Sequence, residues 1–285
     1  MTNLTLSLPA PAKLNLMLHI TGQRDDGYHN LQTLFQFLDY GDQLHFEALP
    51  DDRIEVITDL SDIATTDNLI YRAAKLLQLH SGNSSGARVT LTKNIAMGAG
   101  LGGGSSDAAT TLIALNQLWN LNYDLHSLAK LGLQLGADVP VFVHGRAAWA
   151  EGVGEQLTAV EPEQKWFVVL TPNCHVSTAE IFSHKELTRN SSAITIAAAL
   201  EGDGRNDCLA VVSKHYPQVK KALGWLNQFA AAKMTGTGSS VFADFDSREQ
   251  AQQVFEQLPT DLKGFIAKGQ NLSPLHREAK LTTTL

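Results

Sequence analysis

Residues 97–107, MGAGLGGGSSD, decide the fold of this chain. This glycine segment has five glycines within seven positions, followed by two serines and an aspartate. It lies between an alternating, strand-like stretch at residues 89–92 and a helical pattern that begins at Ser105. Glycine lets the backbone approach a ligand closely, and a helix N-terminus favours an anion. The segment therefore predicts a phosphate site made of Met97, Gly98, Ala99, Gly100, Leu101, Gly102, Gly103, Gly104, Ser105, Ser106 and Asp107.

The composition narrows the class of protein. Of 285 residues, 44% are hydrophobic and 18% charged, which indicates a packed globular chain. The net charge of −7 disfavours an extended nucleic-acid surface. No run of the ~18 apolar residues that a membrane helix needs is present, so no membrane partner is expected. The two distant cysteines, Cys174 and Cys208, fit reduced thiols and predict a cytoplasmic protein.

The distribution of apolar residues predicts an α+β fold in two domains. Strands dominate the first 60 residues, and later segments mix strands and helices without a strict βαβ order. The expected elements include a helix from Leu69 to Leu79 capped by Asp67, a helix from Ser105 to Trp119, and a buried strand at residues 139–143. A polar stretch after residue 160 predicts the boundary between domains 1–160 and 161–285.

The glycine segment has several possible explanations. A flexible linker or a ligand-free turn would not need a strand before it and a helix after it. Gly98, Gly100 and Gly103 satisfy the GxGxxG dinucleotide pattern, but no convincing second strand follows Trp119. The GxxxxGK[ST] phosphate loop is excluded because no lysine precedes the serines. The positive charge for a phosphate must then come from the helix N-terminus, a metal or a lysine elsewhere.

Lys13, Asn15 and Asp138 are the candidates for chemistry outside that segment. Lys13 and Asn15 lie two apart on an alternating stretch, so they share a strand face, which is most simply a solvated one. Asp138 lies at a predicted helix-to-strand junction, where a turn or cap role is the simpler explanation. The alternative is a catalytic base that a nearby lysine keeps ionised. Whether Lys13 and Asp138 meet is left open by the sequence.

Two further motifs fit a nucleotide-like ligand. In Gly27-Tyr28-His29, an aromatic ring and an imidazole could stack on a base and hydrogen-bond to it, or they could form an ordinary turn. Residues 235–240, TGTGSS, form either a simple turn before a strand or a second wall of the phosphate site.

These motifs, in this order, resemble the GHMP kinase superfamily. The resemblance rests on residues 11–15 (PAKLN), the glycine segment and residues 235–240. It extends over essentially the whole chain through three more motifs: TGQRDDGYH at 21–29, LGADVPVF at 135–142 and NLSPLH at 271–276. These motifs resemble the members of the superfamily that phosphorylate a cytidine-diphosphate ester of methylerythritol for non-mevalonate isoprenoid synthesis.

The resemblance implies a two-domain GHMP kinase fold, with a ribosomal-S5-domain-2-like N-terminal domain and a ferredoxin-like C-terminal domain. It implies that the glycine segment binds ATP. It also implies that Asp138, with Lys13 beside it, accepts the proton of the 2-hydroxyl of the methylerythritol unit. Asn15, Tyr28, His29 and Phe182 would then contact a small-molecule substrate carrying a cytidine diphosphate group. Mg²⁺ is implied as well, without identifiable ligands, and the chain could be a monomer or a dimer. Another acceptor, such as mevalonate, homoserine or a sugar, and a non-catalytic nucleotide-binding module are the alternatives.

Overall fold

The computed structural model describes residues 4–59 and 64–281. In chain order, the first half contains β1 (Thr5–Gln23), β2 (His29–Leu49), β3 (Ile54–Ile57), α1 (Leu69–Ser81), β4 (Gly86–Thr92), α2 (Gly103–Leu118), α3 (Leu125–Leu133), α4 (Val139–His144), β5 (Ala148–Glu151) and β6 (Gln156–Ala159). The second half contains β7 (Trp166–Leu170), α5 (Thr178–Ser183), α6 (Ile196–Leu200), α7 (Leu209–His215), α8 (Pro217–Leu226), β8 (Lys233–Met234), β9 (Val241–Phe245), α9 (Arg248–Phe255), β10 (Gly264–Gln270) and α10 (Pro274–Glu278). No helix within these two ranges is long and apolar enough to cross a membrane.

The long strand β2 organises the first half. It pairs antiparallel with β1 along nearly its whole length, and with β4 and β5 over shorter stretches, while β3 runs parallel to β4. The stretch around Leu44 is part of β2. Helices α1 to α4 pack with this sheet around one core, whose largest buried side chains include Phe35, Phe46 and Phe142. This packing holds β1, the glycine segment and the start of α4 in fixed positions.

The second half has the split βαβ order of a ferredoxin-like domain. Its strands lie in the order β10-β7-β9-β8, all antiparallel, with helices in the connections. A second core, which includes Val168, Val212 and Leu226, lies beneath these helices. Strand β10 also pairs with β2, with Gly269 opposite Leu38. The sheets of the two halves are therefore hydrogen-bonded to each other.

Two local predictions are wrong. Residues 139–143 form helix α4 instead of a strand: Pro140 lies in its first turn and Gly145, at φ +69°, ends it. A buried apolar run of five residues does not distinguish the two structures by periodicity. Helix α1 is capped by Asn68, whose side chain accepts a hydrogen bond from the Ile70 N–H, and Asp67 lies in the preceding 3₁₀ turn. The helix over the serines begins at Gly103, close to its predicted start.

His276 links the C-terminal motif to α4. Its side chain is buried and its Nε2 lies 2.8 Å from the Val143 carbonyl oxygen, to which the neutral ring donates. Burial lowers the pKa of His276 from 6.5 to about 4. Below pH 6.5 the His276 imidazole becomes protonated in the unfolded chain, whereas in the folded chain it stays neutral until about pH 4. The free energy of unfolding therefore falls as the pH falls through this window. The full loss should be about 3 kcal/mol.

Urea unfolding at pH 7 and pH 4.5 measures this loss. Replacing His276 with glutamine should lower stability at pH 7 and flatten the dependence on pH between those values. Equal slopes for the parent and His276→Gln would contradict this role.

Candidate active site

A cleft of about 550 Å³ lies between β1, the glycine segment, the start of α4 and α5. Most of the predicted site residues line it: Lys13, Asn15, Met97, Gly98, Ala99, Gly100, Leu101, Gly102, Gly103, Gly104, Ser105, Asp107, Asp138 and Phe182. Tyr28, His29 and Ser106 are not among its lining residues. The structure therefore brings together side chains that lie more than a hundred positions apart in the sequence.

The backbone of the glycine segment has conformations that require glycine. Gly98, Gly100 and Gly102 have φ values of +63°, +75° and +74°. A Cβ on Gly100 would lie 2.4 Å from the Thr235 carbonyl oxygen, so the segment also touches residues 235–240. Gly102 is the N-cap of α2 and supplies no side chain to cap it. The first N–H groups of α2 are therefore left for a ligand, and the helix dipole favours an anion there.

Lys13 is buried beneath the segment. Its Nζ donates to the Asn15 side chain and, at 3.2 Å, to the Gly100 carbonyl oxygen. It also lies 3.5 Å from Asp138 Oδ2, within ion-pair distance. Lys13 is only 3% exposed whereas the Asp138 side chain is 37% exposed, so the cation is fixed and the carboxylate faces the cleft. Asp138 occupies the N-cap position of α4, yet its side chain makes no capping hydrogen bond.

Asn15 connects Lys13 to the second glycine cluster. Its Nδ2 donates to Thr33 Oγ1 at 2.8 Å, and its backbone N–H donates to Thr235 Oγ1 at 2.9 Å. The Thr235 hydroxyl also lies 3.1 Å from the Gly100 carbonyl oxygen, to which it can donate. Asn15 is buried, so the solvated strand face considered for this pair is wrong. The network keeps the Lys13 ammonium in one place.

A second lysine in the cleft, Lys93, was not among the predicted site residues. Its Nζ lies 2.5 Å from Asp42 Oδ2 and 2.9 Å from Asp107 Oδ2. Burial raises the pKa of Asp107; the Lys93 ammonium opposes that rise and Asp42 adds to it. Within the described residues, Asp107 Oδ1 and Ser106 Oγ are buried without a hydrogen-bond partner. The only sequence signal for Lys93 was its place between β4 and the glycine segment.

His29 lies beside Phe182, which lines the cleft, and Tyr28 precedes His29 in the sequence. The His29 and Phe182 rings stack with centroids 5.3 Å apart and planes 30° apart. His29 is buried, and its burial, followed by the charge of Arg189, lowers its pKa. Tyr28 is 65% exposed. The site thus has a backbone cradle for an anion, a lysine–aspartate pair beside it, and an aromatic group for a planar ring.

Comparisons with known proteins identify the family of this chain. The model of the GHMP kinases N terminal domain matches residues 68–146, and that of the GHMP kinases C terminal domain matches residues 185–264. The 4-diphosphocytidyl-2-C-methyl-D-erythritol kinase of Pseudomonas aeruginosa is 57% identical over 273 residues, which is 96% of this chain and 97% of that protein. The enzyme of that name from Shewanella denitrificans is 56% identical, over 94% of this chain and 95% of that protein.

Solved structures show the same fold. A crystal structure of 4-(cytidine 5'-diphospho)-2C-methyl-D-erythritol kinase has a TM-score of 0.82 and 32% identity, covering 93% of this chain and 99% of that one. A mevalonate kinase structure has a TM-score of 0.68 at 15% identity, which concerns the fold alone. The predicted two-domain, mixed α and β kinase fold is confirmed. This chain therefore belongs to the GHMP kinase family, among the 4-diphosphocytidyl-2-C-methyl-D-erythritol kinases.

Proposed function

We propose that this protein transfers the γ-phosphoryl group of ATP to the 2-hydroxyl of 4-diphosphocytidyl-2-C-methyl-D-erythritol, giving the 2-phosphate and ADP. The reaction would serve non-mevalonate isoprenoid precursor synthesis. The observation that carries the proposal is the Lys13–Asp138 pair, at 3.5 Å, in the cleft that the glycine segment lines. The names of relatives that are 57% and 56% identical along the chain support the choice of acceptor.

In this mechanism, Asp138 accepts the proton of the acceptor hydroxyl. The hydroxyl oxygen forms a bond to the γ-phosphorus, the bond from that phosphorus to the bridging oxygen breaks, and ADP leaves. Lys13, 3.5 Å from Asp138 Oδ2, holds positive charge beside the carboxylate and the transferring group. Because Lys13 is itself fixed by Asn15 and Gly100, little reorganisation accompanies the transfer.

The glycine segment would bind the ATP phosphates through the backbone N–H groups at the start of α2. Mg²⁺ would accompany ATP and neutralise charge on its phosphates. Asp107 lines the cleft, and its Oδ1, which is buried without a partner among the described residues, fits this ion because Mg²⁺ prefers oxygen ligands. Asp107 is the residue that would hold it.

Tyr28, His29 and Phe182 would hold the cytosine ring, with Asn15 near the reacting end of the acceptor. The His29–Phe182 stack supports this assignment. We also propose that residues 1–160 bind ATP and carry the Lys13–Asp138 pair, and that residues 161–285 form the substrate-binding C-terminal domain. The free cysteines Cys174 and Cys208 support a cytoplasmic location.

An ADP-release assay with several acceptors tests the proposal. The cytidine-diphosphate acceptor should be turned over, and mevalonate, homoserine and simple sugars should not. Replacing Tyr28 with alanine should raise the KM for the acceptor about tenfold through lost stacking, with the KM for ATP unchanged. Tyr28→Phe keeps the ring and is the matched control.

Two outcomes would contradict the proposal. Turnover of another acceptor, together with a Tyr28→Ala variant of unchanged acceptor KM, would indicate a different GHMP kinase. ATP binding without phosphoryl transfer to any acceptor would indicate a non-catalytic nucleotide-binding module.

A further inference from the structure

The guanidinium of Arg189 connects the His29 ring to the backbone of Phe182. Its Nη2 donates to the carbonyl oxygens of Phe182 and His184, each at 2.8 Å, and its Nη1 donates to that of Leu187 at 3.1 Å. Its Nε donates to His29 Nε2 at 3.0 Å. Arg189 thus links His29, the first residue of β2, to the end of α5 and the loop that follows it, although Arg189 and His29 lie 160 positions apart in the sequence.

The hydrogen bond to His29 has only one possible direction. Arginine offers donors and no acceptor, and it does not lose its proton in proteins. His29 Nε2 must therefore carry a lone pair, which means that the ring is neutral and its proton is on Nδ1. The lowered pKa of His29, caused by burial and then by the Arg189 charge, agrees with a neutral ring.

The same guanidinium holds Phe182 through the carbonyl oxygen of that residue. His29 stacks on the Phe182 ring, so one guanidinium holds both the His29 ring and the backbone that carries its stacking partner. Fixing side chains before a ligand binds lowers the entropy cost of binding. It also makes the hydrogen-bonding character of His29 independent of the ligand.

We propose that Arg189 is a positioning residue of the acceptor subsite, which sets the His29–Phe182 stack and fixes His29 as the neutral tautomer with its proton on Nδ1. In this tautomer the imidazole presents its Nδ1–H as a hydrogen-bond donor to the substrate that accepts the phosphoryl group. It therefore selects a substrate atom with a lone pair. A cytosine ring carries such lone pairs on O2 and N3. The identity of the ligand in this inference rests on the proposed function. The assignment of the His29 tautomer is independent of that function.

The tautomer is measured first, in the ligand-free protein, by ¹⁵N NMR of labelled histidine at pH 7.5, with the His29 signals assigned by their loss in His29→Gln. The parent should show a protonated Nδ1 and an unprotonated Nε2. Arg189→Met should lose this preference and give a mixture with the Nε2–H tautomer. Arg205→Met is the matched control, because Arg205 contacts Ser191 and Asp207 instead of His29. It should leave the His29 signals unchanged.

Kinetics provide the second measurement. Arg189→Met should raise the KM for the cytidine-diphosphate acceptor about tenfold, while kcat and the KM for ATP stay within about threefold. Arg189→Lys keeps the charge but loses the planar fork of N–H donors. Its KM for the cytidine-diphosphate acceptor should lie between those of the parent and Arg189→Met.

The results that would overturn this inference are distinct from those that would overturn the function. An Nε2–H or doubly protonated His29 in the parent protein overturns it without any variant, even if Arg189→Met does not fold. An unchanged tautomer in Arg189→Met, or a loss confined to kcat, also overturns it. A parent that shows the Nδ1–H tautomer but does not phosphorylate the acceptor would support the positioning of His29 and reject the proposed function.

Discussion

Replacing Asp138 with asparagine should lower kcat about 10³- to 10⁴-fold and leave ATP affinity unchanged. The amide cannot accept the hydroxyl proton, yet it has nearly the same shape. The fold should be kept because Asp138 makes no capping hydrogen bond to α4, and Lys13, which loses its ion pair, keeps its hydrogen bonds to Asn15 and Gly100. Steady-state turnover and calorimetric titration with a non-hydrolysable ATP analogue measure the two quantities separately.

Asp124 provides the matched control for Asp138. It is the N-cap of α3, where its side chain accepts a hydrogen bond from the Ser127 N–H. Asparagine also caps helices well, so Asp124→Asn should keep both stability and turnover. An Asp138→Asn enzyme with turnover close to that of Asp124→Asn would remove Asp138 from the role of base.

Replacing Gly100 with alanine should weaken ATP binding by about two orders of magnitude. Gly100 has φ +75°, and its new Cβ would lie 2.4 Å from the Thr235 carbonyl oxygen and 3.0 Å from that of Gly238. Both contacts are with backbone, so the segment itself must move. Its movement would also displace the Gly100 carbonyl oxygen that Lys13 contacts. Calorimetric titration with the ATP analogue measures the loss.

Two other glycines provide comparisons for Gly100→Ala. A Cβ on Gly224, within α8, would meet no neighbouring atom of the described residues within 4 Å, so Gly224→Ala should bind ATP as the parent does. Gly103 has no positive φ, and the nearest atoms to its Cβ would be side-chain atoms of Ile95 and Lys93, at 3.0 and 3.1 Å. Gly103→Ala should therefore be milder than Gly100→Ala. Unchanged affinity in Gly100→Ala would mean that this backbone does not form the nucleotide site.

The sequence was informative where function depends on a local pattern. The glycine segment predicted an anion site because five glycines stand between a strand-like pattern and the start of a helical one. Because the segment contains no lysine, a lysine elsewhere in the chain, such as Lys13, was one possible source of positive charge. The order of the motifs then related Lys13 to Asp138, which lies 3.5 Å away in the fold although their separation along the chain gave no sign of contact.

Other features depend on contacts between distant parts of the chain, which no local pattern encodes. Lys93 lies between Asp42 and Asp107, and only the pairing of β2 with β4 places Asp42 there. Arg189 reaches His29 across the two halves. The prediction of a strand at residues 139–143 is wrong because burial on all sides removes the periodicity that identifies a helix.

The destination of the phosphoryl group tests the proposed roles of these residues most directly. We would incubate the protein with equimolar ATP and 4-diphosphocytidyl-2-C-methyl-D-erythritol labelled with ¹³C at C2 and its methyl group, and follow the reaction by ³¹P NMR. We expect ADP and a new phosphomonoester whose phosphorus couples to the labelled carbons. A phosphate on another hydroxyl, or release of inorganic phosphate alone, would contradict the arrangement of Asp138, Lys13 and the glycine segment proposed for this cleft.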